Sequence, residues 1–207
     1  MRPNDPDDML YLLAGCQTMG GLPGWYGAMA NPGSAGVRRP IKEGRQWGVD
    51  NGCFTGKYLH ERYVDYLEKH LPWRSTCLFA TVPDVVGDAK ETRERWDHYY
   101  PVLNEIGLPM AFVAQDGCVA SDVPAEAQCL FVGGTDDFKL TDRAVRVIEH
   151  AKERGLWVHI GRVNSQKRIR WCRSVGADSC DGTHERFAGR DATVRQFDVA
   201  LKEGWLF

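Results

Sequence analysis

The 207-residue sequence contains no apolar run long enough to cross a bilayer, so no membrane partner is expected. It has no excess of either charge: 26 Lys plus Arg stand against 28 Asp plus Glu, a formal net charge of −2. That balance excludes a polycation coating nucleic acid over its whole surface, though not a local basic face. There is no low-complexity tract. With 22 glycines and seven tryptophans in a chain 43% hydrophobic, a disordered or fibrous protein is excluded. Seven cysteines fall at 16, 53, 77, 118, 129, 172 and 180, and no pair has Cys-x-x-Cys spacing. Neither a zinc ribbon nor a thioredoxin-like redox site is expected, and thiols scattered among apolar residues point to a reducing cytoplasm. The leading MRPNDPDD carries acids and prolines where a secretory signal needs a basic and then an apolar run.

What is present is a recurrence of short apolar runs. They are Met9 to Ala14, Trp47 to Val49, Cys77 to Val82, Met110 to Ala114, Cys129 to Val132, Trp157 to Ile160 and, more weakly, Ala177 to Cys180. Several are almost continuously apolar, as strands buried on both faces should be. Segments with helical spacing separate them. Leu59, Tyr63, Tyr66 and Leu67 make one stripe in Tyr58 to His70, and Ala144, Val145, Ile148 and Ala151 another in Asp142 to Arg154. Thr141 or Asp142 would cap the latter and Gly155 would stop it. Glu91 to Leu103, Gln166 to Val175 and Asp191 to Glu203 are further expected helices. This alternation predicts an α/β fold with a parallel sheet. Seven strands with polar C-terminal ends suit a compact TIM-like (βα)8 barrel with one unit degenerate or missing, an open flavodoxin-like sheet being the alternative. The chain is long enough for one domain, 1–207, and short for two. Gln17 to Arg45, rich in Gly and Pro with little periodicity, is expected to be one long loop, functional or mobile.

The chemistry gathers where apolar runs end. Asp50 and Asn51 follow the second run, Asp84 the third, and Gln115 and Asp116 the fourth. Asp178 and Asp181 flank the weakest strand. Gly133-Gly134 adds two positions where backbone amides can approach a ligand closely. An Asp after a strand commonly caps the next helix, and Asp88 and Asp122 are read that way. Gln115 could equally be a satisfied buried amide, and Gly133-Gly134 a tight turn. Several carboxylates at one barrel mouth are costly without a ligand, however, and suit displacement or acid/base work on a polar, planar molecule.

These segments resemble the queuine/archaeosine tRNA-guanine transglycosylases and their phage and bacterial DNA-modifying relatives. The family's Asp-Ser-Gly-Gly-Phe is similar to Asp50-Asn51-Gly52-Cys53-Phe54, and its Val-Gln-Gly-Gly to Val113-Ala114-Gln115-Asp116-Gly117. Its Gly-Gly turn is similar to Gly133-Gly134. Its Gly-Val-Asp-x-Phe-Asp resembles Gly176-Ala177-Asp178-Ser179-Cys180-Asp181, preceded by His159-Ile160-Gly161-Arg162-Val163. The pieces keep the family's order from residue 50 to 181.

The resemblance implies a barrel that exchanges guanine for a 7-deazaguanine base without a cofactor. Asp181 would be the nucleophile and Asp50 the general acid/base. Asp84 would accept from the base's donor edge, with Gln115 and the Gly134 amide addressing its carbonyl and Asn51, Phe54 and Gly133 completing the base site. No set of three Cys and one His follows Asp181, unlike the zinc-bearing tRNA enzymes, so the likeness is to the shorter DNA-modifying members. DNA is thus the expected partner and tRNA the alternative. Hydrolysis of an N-glycosidic bond and an inert nucleic-acid-binding barrel remain open beside them.

Two basic groups bear on that partner. Arg162, Lys167, Arg168, Arg170 and Arg173 occupy an acid-free run, and Arg38, Arg39, Lys42 and Arg45 lie in the long loop. If both flank the mouth they would track phosphates; otherwise they are solvated faces. Trp25, Tyr26 and Trp47 are candidates for stacking on an extruded base, Trp47 equally for the core.

Overall fold

The computed structural model describes residues 9–33 and 38–202, the Arg186 side chain excepted; the MRPNDPDD segment and Glu203 lie outside them. Eight parallel strands close into one barrel in chain order, the last pairing back onto the first. They are β1 Leu10–Ala14, β2 Tyr26–Ala30, β3 Trp47–Val49, β4 Cys77–Thr81, β5 Met110–Ala114, β6 Cys129–Val132, β7 Trp157–Ile160 and β8 Ser179–Gly182. The barrel is the fold, and the open sheet is not.

Helices α1 Arg38–Lys42, α2 His60–His70, α3 Ala89–Asn104, α4 Asp136–Lys139, α5 Asp142–Glu153, α6 Gln166–Ser174, α7 His184–Ala188 and α8 Arg190–Lys202 follow the strands. The degeneracy expected of one unit is spread over three. No helix follows β1, α1 is five residues long, and β5 is followed only by the 3-10 turn Ala120–Asp122. Asp88 caps α3 through Glu91 N–H, and Thr141 caps α5 through Ala144 N–H. On α2 the stripe starts later than expected: Leu59 is exposed and His70 is buried instead.

Two strand assignments need correction. Gln17 to Arg45 is not one loop, because it contains β2 and α1. The Tyr-Gly-Ala-Met-Ala of β2 lacks the β-branched residues that mark strands. Its small residues are a packing requirement: a Cβ on Gly27 would stand 2.6 Å from Leu12 Cδ2. The last strand runs two residues further along than Ala177 to Cys180, which brings Asp181 into it.

Side chains alternate in and out along each strand. Leu10, Leu12, Met29, Phe79, Ala111 and Cys129 fill the lower barrel, while the outer faces pack beneath the helices. Within the barrel the rings of Phe79, Phe131 and His159 meet at centroid separations of 4.7–5.9 Å. Phe79 lies across the inner face of β3, where Gly48 makes room; a Cβ there would stand 2.4 Å from the ring. Gly48→Ala should therefore destabilise the barrel by roughly 1–3 kcal/mol, as overpacking does. Urea unfolding checks this, and a loss under about 0.5 kcal/mol would mean the ring yields freely.

The same alternation sets the site. Asp50 is two residues on from Gly48, Thr81 from Phe79, Gln115 from Val113, and Asp181 from Ser179. Asp178 falls on the other parity. It sits at the opposite end of β8, where Lys152 Nζ donates to both its oxygens at 2.7 and 2.8 Å. It is a structural ion pair, not a mouth residue.

Candidate active site

At the C-terminal ends of the strands lies a cavity of about 250 Å3, at the small end of ligand pockets. Asp50, Asn51, Asp84, Gln115, Gly133, Gly134, Arg162 and Asp181 all line it, as do Phe54 and Thr183. Residues up to 169 positions apart in sequence thus share one small space, because a parallel barrel gathers its strand ends. The floor is apolar, with Ala14, Met29, Val113 and Phe131 beneath the carboxylates.

The three acids have different surroundings. Asp50 follows β3 and accepts from Gly52 N–H at 2.8 Å. Burial pushes its carboxyl up to about 6, against the Gly52 bond, and the charges of Asp181 and Asp84 add to the rise. Asp84, on the loop after β4, is 7% exposed. Its Oδ1 accepts from Asn51 Nδ2 at 2.9 Å and its Oδ2 from Gln115 Nε2 at 2.6 Å. Burial raises its pKa and these two donors oppose the rise. Asp181 accepts at Oδ1 from His159 Nε2 and from Arg162 N–H, each at 3.2 Å.

Asn51 and Gln115 are scaffolding for Asp84 as well as wall. Asn51 Nδ2 also donates to Val82 O, and its Oδ1 accepts from Cys53 N–H. Gln115 Oε1 accepts from Gly87 and Gly134 N–H, both at 3.0 Å. Gln115 is thus a satisfied buried amide that also faces the cavity. The Gly134 amide, expected to point at a ligand, is engaged by Gln115. Gly134 itself has φ 49°, and a Cβ there would meet the Phe138 ring at 2.5 Å. Asp116 turns away from the cavity to hold Thr135 through both its amide and its hydroxyl.

Arg162 departs from the expected basic face. Among the described residues it is the one non-glycine with positive φ, 61°, a conformation costly for a side chain with a Cβ. Its guanidinium crosses the mouth, donates to Gly134 O and lies 4.8 Å from the centroid of the Phe54 ring, which is 58% exposed. Among the described residues it is the one basic side chain lining the cavity, beside three carboxylates. Of the α6 residues, Arg168 is ion-paired with Asp136 at 2.7 Å, while Lys167 and Arg170 are exposed.

The second basic group does not join them. Helix α1 packs on β2 and on the 71–76 turn that leads into the start of β4, toward the end of the barrel opposite the mouth. There Arg39 pairs with Glu43 at 2.7 Å, and Arg38 acts on the buried Tyr66 and His70. Arg45 is spent on four backbone carbonyls between Met19 and Tyr26. The aromatic candidates are also elsewhere. Trp25 Nε1 donates to Asp198 of α8, Tyr26 is fully buried, and Trp47 is core, its Nε1 bonded to Trp73 O. The exposed aromatic at the mouth is Phe54.

Sequence reading missed the groups behind Asp181. His159 and Ser179 are fully buried, and Lys139, 2% exposed, donates to Gly161 O at 2.8 Å. Burial and Arg162 lower Lys139 to about 8. A signal existed for His159: it is an imidazole in a strand otherwise apolar, at the inward parity of Trp157. Among the described residues, no three His, Cys, Asp or Glu side chains come together as a metal would need. All seven cysteines are free, and no helix among these residues is long and apolar enough to cross a membrane.

No family model and no curated protein matches the sequence. Among solved structures the chain is similar to β-methylaspartase from Clostridium tetanomorphum in its Mg complex, at 12% identity and a TM-score of 0.55. That likeness covers 97% of this chain and 59% of the other, so the chain spans about three-fifths of that protein's length. It is also similar to RipC from Yersinia pestis, at 9% identity and a TM-score of 0.52, over 95% and 96% of the two chains. Identities this low show the barrel fold alone.

Proposed function

We propose that this barrel replaces guanine in DNA by a free 7-deazaguanine base, with Asp181 as the nucleophile and Asp50 as the general acid/base. The observation that carries the reading is the gathering of Asp50, Asp84 and Asp181 in one cavity, each in a different hydrogen-bonding setting. Paired carboxylates with unlike environments divide acid and nucleophile roles between them. The preference for DNA rests on the resemblance to the DNA-modifying members of the transglycosylase family.

In the first half-reaction a carboxylate oxygen of Asp181 bonds to the anomeric carbon as the bond from that carbon to guanine breaks. The electron pair leaves on the base nitrogen, and Asp50, poised near 6, supplies the proton. The incoming deazaguanine then returns a proton to Asp50, its ring nitrogen attacks the same carbon, and Asp181 departs as carboxylate. Asp84 accepts from the donor edge of either base. A carboxylate has about four acceptor sites, of which Asn51 and Gln115 occupy two. Phe54 and Arg162 close the space above.

The direct test is incubation of the protein with labelled guanine and DNA or RNA duplexes. Label entering DNA supports the proposal. Label entering only RNA would transfer it to tRNA, and release of base without incorporation would make the protein a hydrolase. Neither event on any polymer would overturn it.

The exposed Lys167 and Arg170 bear on polymer binding. Lys167→Glu with Arg170→Glu should weaken DNA affinity and reduce the slope of log affinity against log salt by about one for each phosphate no longer neutralised. An unchanged slope in a binding titration would make α6 a solvated face only.

A further inference from the structure

We propose that His159 is a positioning residue that holds one oxygen of Asp181 and leaves the other to react, so that Oδ2 is the attacking atom. This rests on the reading of Asp181 as nucleophile. His159 lies on the inner face of β7, fully buried, its ring 4.7 Å from those of both Phe79 and Phe131. Its Nε2 stands 3.2 Å from Asp181 Oδ1 and its Nδ1 2.8 Å from Ser179 Oγ. Ser179 Oγ is also 2.8 Å from Trp157 Nε1.

The protons along this chain have one consistent direction. Indole Nε1 can only donate, so Ser179 Oγ accepts from Trp157, and because no other acceptor for its hydroxyl proton stands among the described residues, that proton goes to His159 Nδ1. Nδ1 is then an acceptor, and the ring carries its proton on Nε2, facing the carboxylate. Trp157, Ser179 and His159 thus form a donor relay ending at Oδ1. The tautomer is a consequence of the network and is assigned from it.

Oδ1 receives a second donor, Arg162 N–H. That amide is brought there by the turn after β7, which Lys139 anchors through Gly161 O. The turn needs glycine: a Cβ on Gly161 would stand 2.9 Å from the Phe131 ring and 3.5 Å from Oδ1. Oδ2 accepts no hydrogen bond from any described residue. Its lone pairs are the free ones, and attack through it makes Oδ1 the carbonyl oxygen of the sugar ester. The two donors suit that oxygen too, and they stabilise the carboxylate when it leaves in the second half-reaction.

The test compares His159→Phe with His159→Gln. Phenylalanine keeps the packing against Phe79 and Phe131 but has no donor; glutamine offers an amide N–H and packs worse. If His159 acts through its hydrogen bond, His159→Phe should slow covalent adduct formation on labelled DNA about 100-fold, with DNA affinity unchanged. His159→Gln should recover at least about tenfold of that loss. The reverse order, Phe near wild type and Gln impaired, would show a packing role and overturn the proposal. Imidazole 15N spectroscopy of the wild-type protein tests the relay without any substrate: a proton on Nε2 is expected, and the Nδ1–H tautomer would overturn it. No adduct in the wild type together with an Nε2 proton would overturn the base-exchange reading and the attack by Oδ2, leaving only the held oxygen.

Discussion

Replacing Asp181 by alanine is expected to abolish base exchange, by about 10,000-fold or more, and to remove any covalent band between protein and labelled DNA on a denaturing gel. The size follows from the role: the carboxylate makes the bond that holds the sugar between the two bases, and no other acid lies on the inner face of β8. Alanine also leaves the His159 Nε2–H without its partner in a fully buried position, a cost of about 1–3 kcal/mol. Asp181→Asn separates the two effects. An amide Oδ1 still accepts from His159 and from Arg162 N–H, so this variant should match the wild type in urea unfolding while being as inactive as the alanine variant. Full exchange by Asp181→Ala would end the mechanism. An adduct that survives in Asp181→Asn would move the nucleophile elsewhere.

The second large effect concerns Asp50, where activity and stability should move in opposite directions. Burial pushes this carboxyl from 3.8 up to about 6. In the unfolded chain it ionises near 4. The folded state therefore binds the proton more tightly, and stability falls as pH rises between those values. Above pH 6 the buried charge costs the fold roughly 2–3 kcal/mol. Asp50→Asn removes the charge and keeps an oxygen for Gly52 N–H, so it should stabilise the protein by about that amount at pH 7.5. The gain should shrink toward zero near pH 4. Urea unfolding of both proteins across this range checks the sign as well as the size. Exchange should meanwhile fall by about 100- to 10,000-fold, the usual worth of a positioned proton donor. A sugar adduct should still form from a base that leaves without protonation. A variant no more stable than the wild type at pH 7.5 would mean that Asp50 is solvated and titrates as an ordinary carboxyl.

The elements most legible in the sequence were those whose pattern is local. Cys77–Thr81 and Met110–Ala114 are nearly continuous apolar runs leading into polar residues, the common pattern of a strand buried on both faces. The capping residues Asp88 and Thr141 were equally readable, because a cap acts within three residues of itself. Asp50, Asp84, Gln115 and Asp181 could be nominated as strand-end residues on the same grounds, and a parallel barrel brings strand ends together. By contrast β2 was invisible, since Gly27 is chosen for what crosses it, Leu12 from the neighbouring strand.

The wiring of the site came from the folded barrel. Composition made Arg162 one more cation in a basic run; the left-handed turn after β7 sends it across the mouth to Gly134 and Phe54. Arg38 and Arg39 share that composition, yet α1 carries them toward the far end of the barrel. Gln115 and the Gly134 amide, separately plausible as ligand donors, find each other first. Asp178 and Asp181 are three residues apart and point to opposite sides of the sheet, one to Lys152 and one to His159. That polar groups stand at the ends of buried strands is legible in the chain alone, because burial and strand length are written in consecutive residues. Which of those groups face one another depends on strand parity and barrel closure, which no local stretch of sequence contains.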